Sequence, residues 1–435
     1  MLAIFVNSKI RNPYFDESDG VDARLAGNFT IRRPITFPAS DENTIEPTGR
    51  KMTTKKLVHI AEAFGGGVLS MVTLLANHAA AAGVDVTVLH SIRPETPTDF
   101  STLFHSDVKL IYVDMAREVS LRQDLLSVRA LVRILRDCKP AAIHLHSSKA
   151  GVLGRLASRI AAPHATVLYS PHGLSFLRFD ISRIRQFAYL NFERIAAHIG
   201  GTIVACSGSE LGEIKEKVHA KSAVLVENGV DVAEILPRRT RDDGKTVIGM
   251  SGRASFQKNH HAFVELATKL QRADVDFLWI GGDVNEIPES RQSKTVICSG
   301  WVTRAHALAL TSELDIYVQT SRWEGMPVAL IEAQVAGIPA VVTNVVGNRD
   351  VVIHGVTGYI ASSVDEMAAY LAKLRDDRQL RERMGAAART RAIQRFSMNT
   401  VFRQWHTLYG LDTVGSQAGT RGFEPVALDH VKARF

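Results

Sequence analysis

KLVHIAEAFGGGVLS, residues 56–70, reads as a short buried strand running through a glycine-rich turn into a helix. The same unit recurs outward from it. VDVTVLH (84–90), AAIHLHSS (141–148), ATVLYSPHG (165–173), TIVACSGS (202–209) and AVLVENGVD (223–231) are further strand-like runs, separated by amphipathic stretches such as LLSVRALVRILRD (125–137). Short apolar runs alternating with helical periods specify a parallel sheet covered by helices on both faces. The alternation pauses at the polar PRRTRDDGK (237–245) and resumes with TVIGMSG (246–252), DFLWIGG (276–282), TVICSG (295–300), DIYVQTS (315–321) and PAVVTNV (339–345). The fold class is therefore α/β, with two Rossmann-like, doubly wound domains facing across a cleft. Residues 55–236 form the first domain and 246–395 the second.

The flanks read differently. Residues 1–54 lack a sustained period, contain loop clusters such as PASDENTIEPTG (38–49), and are expected to be a poorly structured arm. MTTKKLVHI at 52–60 itself resembles a natural beginning. A helix at 396–412 is expected to pack back on the first domain, and 413–435 reads as a tail.

A chain of 435 residues with 46% hydrophobic and 22% charged residues is a packed protein of more than one core. Its net charge of +7 suits anionic partners: nucleoside diphosphates, a lipid-linked phosphate or an acidic membrane surface. The basic residues form no tail and match no nucleic-acid-binding motif, so no nucleic acid is expected. Three cysteines with neither CxxC spacing nor a Cys/His cluster argue against disulfides and structural zinc and fit a reducing cytoplasm. No run reaches the ~18 apolar residues of a membrane span. FLRFDISRIRQFAYLNFERIAAH (176–198) mixes aromatics with arginines. It reads either as a helix covering the core or as a peripheral contact with an anionic membrane at the inner face of the plasma membrane.

Open α/β sheets bind ligands at the carboxyl ends of their strands, so chemistry is sought on the loops that follow strands. In EGMPVALIEAQVAGIP (324–339), Pro327 suits the first helical position and Gly337 with Pro339 signals the stop. The helix start then offers N–H groups from Met326 to Ala329 to a diphosphate, with Gly325, Pro327 and Val328 around it. Glu324 precedes that helix and Glu332 lies about one turn inside it, each placed to accept hydrogen bonds from sugar or ribose hydroxyls. In SGRASFQKNHH (251–261), Gly252, Arg253 and Lys258 follow a strand, and the two cations suit the charge that develops on a departing nucleoside diphosphate.

Gly65, Gly66 and Gly67 let a phosphate or acceptor approach the backbone. GGGVLS has Ser70 where a dinucleotide fingerprint needs a third Gly or Ala, and no acid follows the second strand, which excludes nicotinamide binding. His172 in LYSPHGLSF faces the phosphate loops across the cleft. His144 and His146 share a strand face but show no third metal ligand at any recognisable spacing, so no metal site is assigned. Asp274 and Asp276 form a lone DxD that reads as a turn before a strand.

Together these segments resemble the retaining glycosyltransferases of family 4, which have the GT-B fold. The likeness covers most of residues 55–410 and is carried by ENGVD (227–231), SGR with KN, FLWIGG, the ExxxxxxxE element EGMPVALIE, and SPHG; HLHSSKAGVLGRLA (144–157) looks like members that build bacterial surface polysaccharides. The resemblance implies Arg253 and Lys258 on the diphosphate, Glu332 on the ribose, Glu324 and His172 near the transferred sugar, and the Trp301–Val302 backbone near the base. It implies no cofactor and no metal, a UDP- or GDP-linked sugar as co-substrate, and a glycan or polyprenyl-diphosphate-linked acceptor. VGNRDVV (346–352) departs from the family's usual Gly-Gly turn. Rival readings are a GT-B epimerase of nucleotide sugars and a non-catalytic sugar-nucleotide or glycan binder.

Overall fold

The computed structural model describes residues 55–411, apart from 117, 119, 242, 284–285 and 288–295. The arm expected at 1–54, Asp412 and the tail expected at 413–435 lie outside the described residues. The strands are β1 (Lys56–Ala61), β2 (Asp85–His90), β3 (Lys109–Tyr112), β4 (Ala142–His146), β5 (Thr166–Ser170), β6 (Thr202–Ala205), β7 (Ala223–Leu225), β8 (Thr246–Ser251), β9 (Val275–Ile280), β10 (Val296–Cys298), β11 (Ile316–Gln319), β12 (Ala340–Thr343) and β13 (Gly358–Ala361). Between them run α1 (Gly66–Ala81), α2 (Leu121–Cys138), α3 (Ser148–Ala161), α4 (Arg183–Ile199), α5 (Gly208–Glu213), α6 (His260–Lys269), α7 (Arg304–Ser312), α8 (Val328–Ala336) and α9 (Asn348–Val351). Three helices close the described chain: α10 (Val364–Asp376), α11 (Arg378–Phe396) and α12 (Met398–Leu408).

Two sheets result, ordered β3-β2-β1-β4-β5-β6-β7 and β10-β9-β8-β11-β12-β13, and every strand pair is parallel. Each is the doubly wound order, whose direction reverses between β1 and β4 in the first sheet and between β8 and β11 in the second. The strands absent from the sequence reading, β3 and β13, are both four-residue edge strands. An edge strand is covered less evenly than a central one, and β3 alternates only weakly, with Lys109 and Tyr112 exposed.

The first sheet splits its core in two by strand alternation. Leu57 and Ala61 of β1 pack toward α1, whereas Val58 and Ile60 face the other core with Leu131 and Leu153. α12 joins the first of these cores: Met398, Val401, Trp405 and the following Tyr409 are buried with Leu57, Leu75 and Val86. α11 leads to it from the second domain, in whose core Met384, Ala392 and Phe396 are buried, on a stripe shared with Ala388 at four-residue spacing. The polar stretch is docked on the second domain through Arg238, bonded to Asp315 at 2.6 Å with its backbone N–H donating to the Ala336 carbonyl at 2.7 Å.

Candidate active site

Most residues singled out by sequence fall at the carboxyl ends of strands, on loops or in the helices that open there, and most of them at the two switch points. Gly65–Gly67 follow β1, His172 follows β5, Gly252 to Lys258 follow β8, Trp301 follows β10 and Glu324 follows β11.

Half-buried Lys258 and buried Glu324 form one unit. Lys258 Nζ lies 2.8 Å from Glu324 Oε1, and the same oxygen accepts from Gln319 Nε2 at 2.9 Å, while Gln257 Nε2 reaches Oε2 at 3.4 Å. Glu324 is only 7% exposed, so its charge is sustained by these donors rather than by water. Gly252 makes room for the lysine stem: its φ of +144° belongs to glycine, and a Cβ there would stand 3.0 Å from Lys258 Cε. Arg253 points elsewhere. Its Nη1 lies 3.3 Å from Oε1 of Glu95, a first-domain residue, in a largely exposed pair that spans the two domains.

Gly325 brings the domains into backbone contact. A Cβ on it would lie 2.7 Å from the Gly173 nitrogen and 3.0 Å from the His172 carbonyl carbon. Met326 is buried, and its carbonyl accepts from Asn228 Nδ2 at 2.8 Å, which gives the Asn of ENGVD a structural task. α8 begins at Val328, so Pro327 is its N-cap residue and not the first helical one. The physical reason is its ψ of 113°, an extended value that precedes the helical turn. Among the described residues no side-chain cap is made at this end, which leaves its leading N–H groups for a ligand.

Glu332 lies inside α8, 8% exposed, with Arg304 Nη1 2.6 Å from its Oε1; Arg304 also reaches Glu234 Oε2 at 3.3 Å. Burial pushes the Glu332 carboxyl up from its ordinary range, and Arg304 opposes that shift. Trp301 is exposed and Val302 half-buried just before α7.

His172, at a positive φ of 55°, ends a chain of buried imidazoles. Its Nε2 lies 2.9 Å from His146 Nδ1, and His146 Nε2 lies 2.9 Å from His59 Nδ1. Parallel register explains the grouping: His59 of β1 stands opposite His144 of β4, and His146 opposite Ser170 of β5, all on one face of the sheet. The strand reading found no third ligand beside His144 and His146, and here the fold corrects it, because His59 brings three ring nitrogens within 4.8 Å of one another. The rings nevertheless bond pairwise instead of converging on one point. Both nitrogens of His144 are taken, by the Tyr409 hydroxyl at 2.8 Å and by Ser170 Oγ at 2.9 Å.

Burial holds His59 down at about 3 and His172 at about 4, and drives His144 and His146 well below the ordinary histidine value. A group that is neutral when folded and charged when unfolded stabilises fully above its unfolded pKa of 6.5 and loses that contribution as pH falls toward the folded value. Each such ring changes stability by at most about 1.4 kcal/mol per pH unit in that window. Urea midpoints are therefore expected to fall steadily below pH 6.5, and a flat profile there contradicts the buried neutral cluster.

Asp274 and Asp276 bond Arg272 and Lys245 at 2.9 and 3.0 Å at the amino end of β9, the end opposite the ligand side, where they hold a turn. The sequence reading missed Glu95, Arg304, Gln319 and His59. Only Gln319 carried a local signal, as a polar residue closing a buried strand; the others meet their partners through the fold.

A model of "Glycosyltransferase Family 4" matches residues 65–234 and one of "Glycosyl transferases group 1" matches 231–391. The chain is 29% identical over 292 residues to the UDP-Gal:alpha-D-GlcNAc-diphosphoundecaprenol alpha-1,3-galactosyltransferase of Escherichia coli, covering 61% of this chain and 74% of that one. It is 25% identical to the capsular polysaccharide biosynthesis glycosyltransferase CapM of Staphylococcus aureus, covering 68% and 83%. Among solved structures, sucrose-phosphate synthase from Thermosynechococcus elongatus superposes with a TM-score of 0.71 at 17% identity, over 82% of this chain and 98% of that one. Anabaena HepE, solved with UDP and glucose, superposes at 0.65 and 18%, over 82% and 100%. Two doubly wound domains and these matches define a glycosyltransferase of GT-B architecture. Within that class its first domain matches the Family 4 model and its second the group 1 model, and the chain resembles the enzymes that build bacterial surface polysaccharides.

Proposed function

We propose that the chain moves a sugar from a UDP- or GDP-linked donor to a polyprenyl-diphosphate-linked glycan, with retained anomeric configuration and without a metal ion. The observation that carries this reading is the cluster at the second switch point. The Lys258–Glu324 pair and the start of α8 follow β8 and β11, Gly325 abuts His172 and Gly173, and Arg253 reaches Glu95, whose side chain lies against Gly65. In the proposed step the acceptor oxygen attacks the anomeric carbon on the face the diphosphate leaves. The carbon–oxygen bond to the diphosphate breaks, and the acceptor's proton passes to a leaving phosphate oxygen. Arg253 and Lys258 supply the positive charge that a divalent cation would otherwise supply. Glu332, beside Arg304, takes the ribose hydroxyls, Glu324 a sugar hydroxyl, and the exposed Trp301 with Val302 lies against the base.

The test offers a panel of UDP- and GDP-sugars with and without an undecaprenyl-diphosphate-linked glycan, in EDTA, and follows nucleotide release and product stereochemistry by NMR. Release that requires acceptor and retains configuration supports the proposal. Inversion, or loss of activity in EDTA, contradicts it. Acceptor-independent release selects the epimerase reading, and donor binding without release selects the non-catalytic one.

A membrane contact fits the same acceptor. α4 exposes Ile184, Phe187, Phe192 and Ile195, with Phe179 just ahead of it and Arg183 and Arg185 alongside, a composition suited to an anionic interface. No helix among the described residues is long and apolar enough to cross a membrane. Phe187→Asp is expected to weaken sedimentation with phosphatidylglycerol vesicles by roughly tenfold or more, since a buried ring is worth about 1.5–3 kcal/mol. Turnover of a water-soluble acceptor analogue should stay unchanged, and unaltered sedimentation removes this face from consideration.

A further inference from the structure

The chain His59–His146–His172 has more order than a buried polar cluster requires. His146 uses both ring nitrogens, Nε2 with His59 Nδ1 and Nδ1 with His172 Nε2, each at 2.9 Å. A neutral imidazole carries one N–H, so His146 donates to one neighbour and accepts from the other. Only two arrangements satisfy both bonds. In one, all three rings carry the proton on Nδ1; in the other, all three carry it on Nε2.

The far end of the chain distinguishes them. His59 Nε2 is fully buried and has no hydrogen-bond partner among the described residues. The second arrangement would place an N–H there with nothing to accept it, whereas the first leaves only a lone pair. Orphaned buried donors are rarer and more costly than under-used acceptors. Charged alternatives are disfavoured because burial lowers the proton affinity of every ring in the chain. His144 introduces no bias, since its partners, the hydroxyls of Tyr409 and Ser170, serve equally as donors or acceptors.

We propose that His59 and His146 are positioning residues that hold His172 as its Nδ1–H tautomer, so that it meets the donor sugar as a hydrogen-bond donor. This rests on the reading of His172 as a residue facing the transferred sugar. The orphaned nitrogen at His59 is then the feature that gives the chain its direction. Strand register places it two rings away from the reaction.

The test is a long-range proton–nitrogen NMR correlation on the full chain with ¹⁵N-labelled histidine, the His172 signals being identified by their loss in His172→Ala. Wild type is expected to show His172 protonated at Nδ1 and bare at Nε2. His59→Met keeps the buried volume but offers His146 Nε2 a thioether acceptor where the histidine offers a donor, so a proton on His146 Nε2 is no longer orphaned. In that folded variant His172 should lose its pure Nδ1–H signature, and kcat should fall by up to roughly tenfold, the worth of one hydrogen bond, with UDP or GDP affinity unchanged. His172 protonated at Nε2 in wild type overturns the proposal, and this readout stands even if His59→Met does not fold. An unchanged His172 signature in folded His59→Met overturns it as well. A changed tautomer with unaltered kcat instead overturns the placement of His172 at the sugar, so the two failures are distinguishable.

Discussion

Lys258→Ala is expected to lower turnover by roughly 10²-fold or more, the range seen when one charge-stabilising donor is removed from a reaction centre. Two effects act together. The variant removes a cation that would face the leaving diphosphate, and it leaves the Glu324 carboxylate buried with only the amides of Gln319 and Gln257 to hold it. Deleting one partner of a fully buried pair costs about 3–5 kcal/mol; with Lys258 half-buried and Glu324 still held by two amides the loss is smaller, but the melting temperature should drop as well. Lys258→Ala combined with Glu324→Gln, compared with Glu324→Gln alone, separates the two effects. The double variant should recover much of the stability, since no unpaired charge remains, and none of the turnover. Recovery of turnover would show that the lysine acts only by supporting the fold.

Arg253→Ala is expected to reduce turnover by a similar factor, roughly 10²-fold, with almost no change in stability. Its pairing with Glu95 is long and largely exposed, and such pairs are worth about 0–1 kcal/mol. Glu95 places an anionic group where the leaving phosphate would meet the arginine, and Glu95→Gln should leave turnover within a few-fold of wild type. Near-normal turnover in Arg253→Ala removes the residue from the leaving-group site. An equal loss in both variants would instead make the Arg253–Glu95 contact a structural brace between the domains.

Much of this arrangement was legible in the chain itself. Alternation of short apolar runs with amphipathic stretches requires a parallel sheet because buried strands need both faces covered, and the polar 237–245 marks where one sheet ends and the next begins. The helix start in EGMPVALIE was readable to within one residue, because a proline followed by helix formers allows few alternatives, yet whether that proline caps or begins the helix depends on its ψ. β3 and β13 escaped the reading because each is only four residues long, β3 with both ends exposed and β13 opening on a glycine.

The sequence by itself determined the two doubly wound sheets and the loops after β1, β5, β8 and β11 on which polar residues gather, since both follow from local periodicity and from residues that start or stop a helix. Tertiary structure decided the partners. Glu95 meets Arg253, Arg304 meets Glu332, and His59 meets His146 only because strand order and register bring distant segments together. Side-chain period states which face a residue occupies, and it carries no information about the neighbour waiting on that face.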